Sequence, residues 1–139
     1  MSKKLLLLFL TELNIFLTFM KKKTLVLGAS IKPYRYSYHA VSKLIESNIE
    51  VVAHGSTKGE VQGVKINDSL QYYDDIDTIT LYLNPSNQIS FYNYIISLKP
   101  RRVIFNPGSE NPEFYSLLKK NNIKVEEACT LVLLSTNQY

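Results

Sequence analysis

Two short segments carry groups suited to holding a phosphate. The first is Gly28-Ala29-Ser30, followed by Lys32, Arg35, Tyr36 and Ser37; the second is Gly55-Ser56-Thr57-Lys58. A glycine permits positive φ and lets the backbone come close to a ligand. Ser30, Ser37, Ser56 and Thr57 supply hydroxyls, and Lys32, Arg35 and Lys58 supply positive charge. Hydroxyls and cations gathered at glycine turns fit a phosphate ester. Bond-breaking chemistry has no comparable set. A nucleophile needs a base within reach and a third group to orient it, and no such trio is legible. His54 lies near the expected pocket but is read as non-catalytic, and His39 falls outside the apolar face of its helix. Cys129, the one cysteine, reads as a small buried residue. It excludes an intramolecular disulfide and a multi-cysteine metal site. Asp74, Asp75 and Asp77 form a solvated acidic turn with no further ligands beside them, so no metal is expected.

The elements that must position these groups follow from periodicity. Thr24 to Leu27 is a short apolar run, as in a strand covered on both faces. Ser37 is the expected N-cap of a helix whose buried face carries Ala40, Val41, Leu44 and Ile45, with Ser47-Asn48 ending it. A second strand runs from Ile49 to Ala53. Residues Glu60 to Tyr73 read as an irregular connection, with one helical turn near Ser69 to Tyr73. The third strand is Thr78 to Leu83. Asn84-Pro85 caps and opens a helix buried through Ile89, Tyr92, Ile95, Ile96 and Leu98. Arg102 to Phe105 is the fourth strand, followed by the turn Asn106-Pro107-Gly108. Asn111-Pro112-Glu113 opens another helix, with Glu113 where the helix dipole favours it. Asn121-Asn122 closes that helix, Ile123 to Val125 is the fifth strand, and Ala128 to Ser135 forms a last helical turn. Alternating strands and helices predict an α/β domain of three layers, αβα, with a parallel sheet between helices. Its five-stranded parallel sheet has the expected order 3-2-1-4-5. The switch point then lies between the first and fourth strands, beside Gly28–Ser30 and Asn106–Gly108, where such folds bind ligands.

Which nucleotide would sit there is constrained by two departures. The first loop has one glycine, not the spaced three of a dinucleotide fingerprint. The second strand ends Val52-Ala53-His54-Gly55, with no carboxylate to hold a ribose 2′-hydroxyl. Both argue against NAD. Tyr34, Tyr36 and Tyr38 interleave with Arg35 as in a base-stacking surface, but no wider basic patch accompanies them, so nucleic acid is not expected.

At 139 residues the chain has the length of one domain, with 45% hydrophobic and 20% charged residues. The formal charge of +4 and pI near 9.1 suit an anionic small molecule. Residues 1–20 read as an apolar extension ahead of a domain spanning 21–139. Leu5 to Leu10 follow Lys3-Lys4, Glu12 interrupts the apolar stretch, and no small-residue cleavage site follows. An over-long translation start before Met20 is the expectation; the alternatives are a membrane-associating or interaction helix and a genuine signal.

Taken together, Leu27-Gly28-Ala29-Ser30, Lys32-Pro33-Tyr34-Arg35-Tyr36-Ser37, Asn84-Pro85 and Asn106-Pro107-Gly108 resemble the small stand-alone CoA-binding domain proteins. Those are similar in turn to the N-terminal CoA-binding domain of the succinyl-CoA synthetase alpha subunit. The resemblance covers about residues 22–139. It implies a Rossmann-like fold with coenzyme A or acyl-CoA as ligand. It further implies that Gly28, Ala29 and Ser30 lie against the CoA phosphates and that Arg35, Tyr36 and Ser37 complete that loop. Gly55, Ser56 and Lys58 would approach the nucleotide phosphates or ribose. Asn84 and Pro85 match a valine–proline-like pair beside the adenine or pantetheine path, and Asn106 and Gly108 match a glutamine–x–glycine turn. Asparagine at both 84 and 106 departs from that pattern. The synthetases use further domains for nucleotide grasp and phosphohistidine, for which this chain has no room. The expected function is therefore a cytoplasmic binding protein without catalytic residues. It would bind neither nucleic acid nor membrane, and a protein partner or homo-oligomer is left open. The rival readings are a small oxidoreductase or transferase using another nucleotide, and an interaction subunit without ligand.

Overall fold

The computed structural model describes residues 2–20 and 22–139, with side chains over 2–15 and 22–139. Lys21, the first residue of the expected domain, lies outside the described residues. After a helix α1 (Lys3–Met20), the chain alternates strands and helices. The order is β1 (Thr24–Leu27), α2 (Tyr36–Glu46), β2 (Val51–His54), β3 (Gly59–Val61), β4 (Val64–Asn67) and β5 (Thr78–Leu81). There follow α3 (Pro85–Gln88), a 3₁₀ turn (Ile89–Phe91), α4 (Tyr92–Ser97), β6 (Arg102–Phe105), α5 (Pro112–Lys120), β7 (Lys124–Glu127) and α6 (Thr130–Ser135).

One sheet of seven strands, in the order β3-β4-β2-β1-β5-β6-β7, corrects the expectation of five strands ordered 3-2-1-4-5. Every neighbouring pair is parallel except β3 with β4. The error lies in Glu60 to Tyr73. That stretch holds a hairpin whose turn residues Gln62 and Gly63 have φ of 47° and 84°. Two successive positive φ values match the twist of a tight hairpin. Val61 and Ile66 point to the core, so the alternation of apolar residues there was a strand signal. β4 then takes the place beside β2, through Ala53 opposite Ile66 and His54 opposite Asn67. Thr78–Leu81 is displaced to the far side of β1, pairing Leu25 with Ile79 and Leu27 with Leu81. The switch point therefore lies between β1 and β5, and the Asn106–Gly108 turn follows the next strand along. No helical turn forms at Ser69 to Tyr73.

The two faces of the sheet bury separate cores. Leu25, Leu27, Ile79, Leu81, Val103 and Phe105 pack with Ile95, Phe114 and Leu118 of α4 and α5. Val26, Ala53 and Ile66 pack with Val41 and Leu44 of α2, and Leu134 of α6 joins them. Leu25 and Val26 fall on opposite faces because side chains alternate along a strand. Asn84 and Asn111 cap α3 and α5, accepting from the N–H of Asn87 and Phe114, and a proline follows each. The 3₁₀ turn shifts the phase between α3 and α4. Ile95 and Leu98 stay buried, whereas Ile89, expected in the core, is exposed. Among the described residues no helix is long and apolar enough to cross a membrane.

Candidate functional site

Three backbone segments meet at the carboxyl ends of β1, β2 and β5. The N–H groups of Gly28 and Ala29 both donate to the His54 carbonyl, each at 2.9 Å, and Gly55 donates to the Asn67 carbonyl at 2.9 Å. Gly28 has φ of 93°, and a Cβ there would stand 2.6 Å from the Tyr82 carbonyl oxygen. Glycine at position 28 is thus required by strand packing itself, whatever is bound above it. This closeness forms the floor of an open cleft of about 850 Å³, within the usual size of a small-molecule site.

One wall is the segment from Ser30 to Ser37. α2 begins at Tyr36, not after Ser37: Arg35 occupies the cap position, and no side chain caps the helix. Ser37 is instead buried in the first turn. The leading N–H groups of a helix have no intrahelical acceptor, and they carry the positive end of its dipole. Here they open beside Lys32 and Arg35, and no lining residue is a carboxylate. The Arg35 guanidinium lies 5.7 Å from the Tyr34 ring centroid, and Ser30 Oγ accepts from the Lys32 N–H at 3.1 Å. This half of the cleft has a positive field and open donors, which suits an anion.

The opposite wall is neutral. Asn84, Ser86, Asn87, Ser90, Gly108 and Ser109 line it. Asn84 Oδ1 accepts from Asn87 N–H and from Ser86 Oγ. The fully buried Gln88 holds the loops together. Its Nε2 donates to the carbonyls of Leu83 and Ser109 at 2.8 and 2.7 Å, and its Oε1 accepts from Asn111. Between the walls, the His54 ring meets Phe91 edge-on at 5.6 Å. Tyr82 also lines the cleft, and burial pushes its phenol above the ordinary value, keeping it neutral.

Of the residues singled out from sequence, Gly28, Ala29, Ser30, Arg35, Tyr36, Ser37, Gly55, Ser56, Asn84 and Gly108 line this one cleft. Lys58, Pro85 and Asn106 are not among its lining residues. Lys58 is 78% exposed and points to Asp68, 3.9 Å away. Pro85 fills the first position of α3. Asn106 is buried: its amide donates to Thr80 Oγ1 at 2.7 Å and the Leu81 carbonyl at 2.9 Å, and its Oδ1 accepts from Thr130 N–H. It ties two strands to α6. Sequence reading missed Ser86, Asn87, Ser90 and Ser109 of the neutral wall and Phe91 between the walls. The polar spacing of Ser86, Asn87 and Ser90 was the available signal. No group of His, Cys, Asp and Glu able to hold a metal occurs among the described residues.

A mostly parallel sheet with helices on both faces, and an open cleft at its switch point, defines an α/β protein of Rossmann-like form. The chain belongs to the CoA binding domain family, whose model matches residues 22–135. A crystal structure of an uncharacterized protein is 48% identical, covering 86% of this chain and 98% of its own, with a TM-score of 0.83. Cell-free ID.343 from Thermus thermophilus is 23% identical, over 93% of this chain and 98% of its own, with a TM-score of 0.77. A hypothetical protein from Pyrococcus horikoshii OT3 is 22% identical over 87% of both chains, also with a TM-score of 0.77. At such identities these last two likenesses speak for the fold. No curated protein matches the chain significantly.

Proposed function

We propose that the protein binds coenzyme A, free or acylated, in the cleft above Gly28, and that it acts as a binding protein with no catalytic residues of its own. The observation that carries this is the carboxylate-free wall where Lys32, Arg35 and the uncapped start of α2 converge. A phosphate-rich ligand places its anionic part there, against helix N–H groups and two cations. The neutral wall of amides and hydroxyls suits the alternating amide and apolar chemistry of a pantetheine arm. The loop after β2 presents Gly55, Ser56 and Thr57 and no acid, which disfavours an adenosine ribose held by its 2′-hydroxyl. Family membership supports the same ligand. The single cysteine accords with a reducing, cytoplasmic setting.

The test is thermal unfolding of the full chain with CoA, alongside calorimetry. A ligand at one hundred times its Kd adds about 2.7 kcal/mol to stability, which raises Tm by several degrees. Absence of both a Tm shift and a heat of binding at saturating CoA defeats the reading. A larger shift with NADP than with CoA would assign the cleft to another nucleotide.

A further inference from the structure

α1 is an 18-residue helix, KKLLLLFLTELNIFLTFM, and over Leu5 to Ile15 it has apolar side chains on every side. Leu5, Leu6, Leu7 and Leu8 step round the helix by about 100° each, so between them they face all directions. All four are exposed, as are Phe9, Leu10, Leu13 and Ile15, the least of these by 39% and the most by 64%. A helix apolar all round is stable only when surrounded by an apolar medium. A protein groove covers one face and leaves the rest in water, whereas a helix sunk at the boundary of headgroups and acyl chains has more of its circumference covered. The charges select the kind of lipid. Lys3 and Lys4 open the helix, and Lys21-Lys22-Lys23 follow it in sequence, against the one acid Glu12 within it. Basic residues flanking an apolar helix match an anionic bilayer surface. Glu12 and Asn14 interrupt the run, and the helix lacks the unbroken length needed to cross.

We infer that α1 is a membrane-surface anchor, inserting Leu5 to Leu10 among the acyl chains of an anionic bilayer with its lysines at the headgroups. This departs from the expectation of no membrane contact, and it selects the membrane-associating reading of residues 1–20 over an over-long start. The domain that follows would then be held at a lipid surface.

The test is flotation of the full chain with phosphatidylglycerol-containing vesicles and with pure phosphatidylcholine vesicles. The chain is expected to float with the anionic vesicles. Lys3→Gln with Lys4→Gln should weaken that binding roughly thirtyfold, and Leu7→Glu with Phe9→Glu should abolish it. The thermal transition of each variant checks that the domain is still folded. A full chain that stays in solution with both vesicles overturns the inference. So does a chain that self-associates through α1 in preference to binding lipid. An intact mass from the native cell that begins at Met20 overturns it as well.

Discussion

A Cβ placed on Gly55 would lie 2.2 Å from the carbonyl oxygen of Ala29. The loop after β2 thus rests directly on the loop after β1, backbone against backbone. A backbone oxygen cannot swing aside as a flexible side-chain end can. Gly55→Ala is therefore expected to push the two cleft-lining loops apart, costing about 1–3 kcal/mol of stability. Chemical unfolding measures the loss. CoA titration of the variant should show weakened binding even where the protein remains folded, because Ser30 and Ser56 move with their loops. Wild-type stability in Gly55→Ala would refute the contact.

The proposed ligand site ranks its cations. Arg35→Ala and Lys32→Ala each remove a charge from the wall beside the α2 N-terminus. Hydrogen bonds to charged groups contribute roughly 1.5–3 kcal/mol, so each substitution should weaken CoA binding by about tenfold or more. Lys58→Ala should leave affinity nearly unchanged, since Lys58 sits outside the cleft facing Asp68. Calorimetry on the three variants decides. A large loss from Lys58→Ala with none from Arg35→Ala would reverse the placement of the phosphates. Raising salt should weaken wild-type binding more than that of Arg35→Ala.

Asn106 separates fold from function. Its side chain serves Thr80, the Leu81 carbonyl and the Thr130 N–H, all within the core. Asn106→Ala leaves buried backbone groups unpaired, and each such group costs about 1–3 kcal/mol. The expected result is a clear drop in Tm with a CoA affinity, measured below the transition, close to wild type. A selective loss of binding without loss of stability would mean that Asn106 reaches the ligand.

What was readable beforehand follows a physical division. β1, β6 and the two asparagine–proline helix starts rest on local rules: apolar runs, caps and proline's fixed φ. Each is where the residues place it. The sheet order was not readable, because it depends on whether the strand carrying Ile66 pairs with β2, a long-range choice that a weak Gln62-Gly63 turn signal does not announce. The same division runs through the site. The glycines and cations of the loops after β1 and β2 were legible from their types; Gly28, Lys32, Arg35 and Gly55 line the cleft, and Lys58 does not. Ser86, Asn87, Ser90 and Phe91 belong to the cleft only because β5 lies next to β1, so an incorrect strand order hid them.

Asp77 supplies an acid-side pH dependence. Burial raises its carboxyl pKa, but hydrogen bonds from Arg101 and Thr78, with the charges of Arg101 and Arg102, outweigh that and hold it below the ordinary value. Arg101 donates from Nε at 2.9 Å. A group whose pKa is depressed by folding contributes stability above its unfolded pKa, near 3.9. That contribution disappears as pH falls through the folded value. Asp77→Asn should therefore be less stable than wild type at pH 7, and the gap should close progressively below about pH 4. Urea midpoints at pH 7, 4 and 2.5 test this; a gap constant across them would show that the charge is not what matters.

Tyr139 acts at the opposite end of the sheet from the cleft. Its ring lies 4.5 Å from the Arg102 guanidinium carbon, and its hydroxyl hydrogen-bonds Thr24 Oγ1. Burial, the largest influence, raises its phenol pKa, against the opposing effects of Thr24 and Arg102. Arg102 is itself buried, donating from Nε to Thr78 and from Nη1 to Glu126. Its Nη2 has no partner among the described residues, so the aromatic face is the compensation available on that side. A desolvated cation–π contact contributes about 2 kcal/mol. Tyr139→Ala should lower stability by about that amount, because it removes the ring from Arg102 and leaves Thr24 with one partner fewer, while water reaching Arg102 offsets part of the loss. Tyr139→Phe keeps the ring and loses only the hydroxyl, so its cost should stay near 1 kcal/mol. If the two variants are equally unstable, the hydroxyl and not the ring holds the segment. If neither is, Arg102 is satisfied by its carboxylate and threonine partners alone.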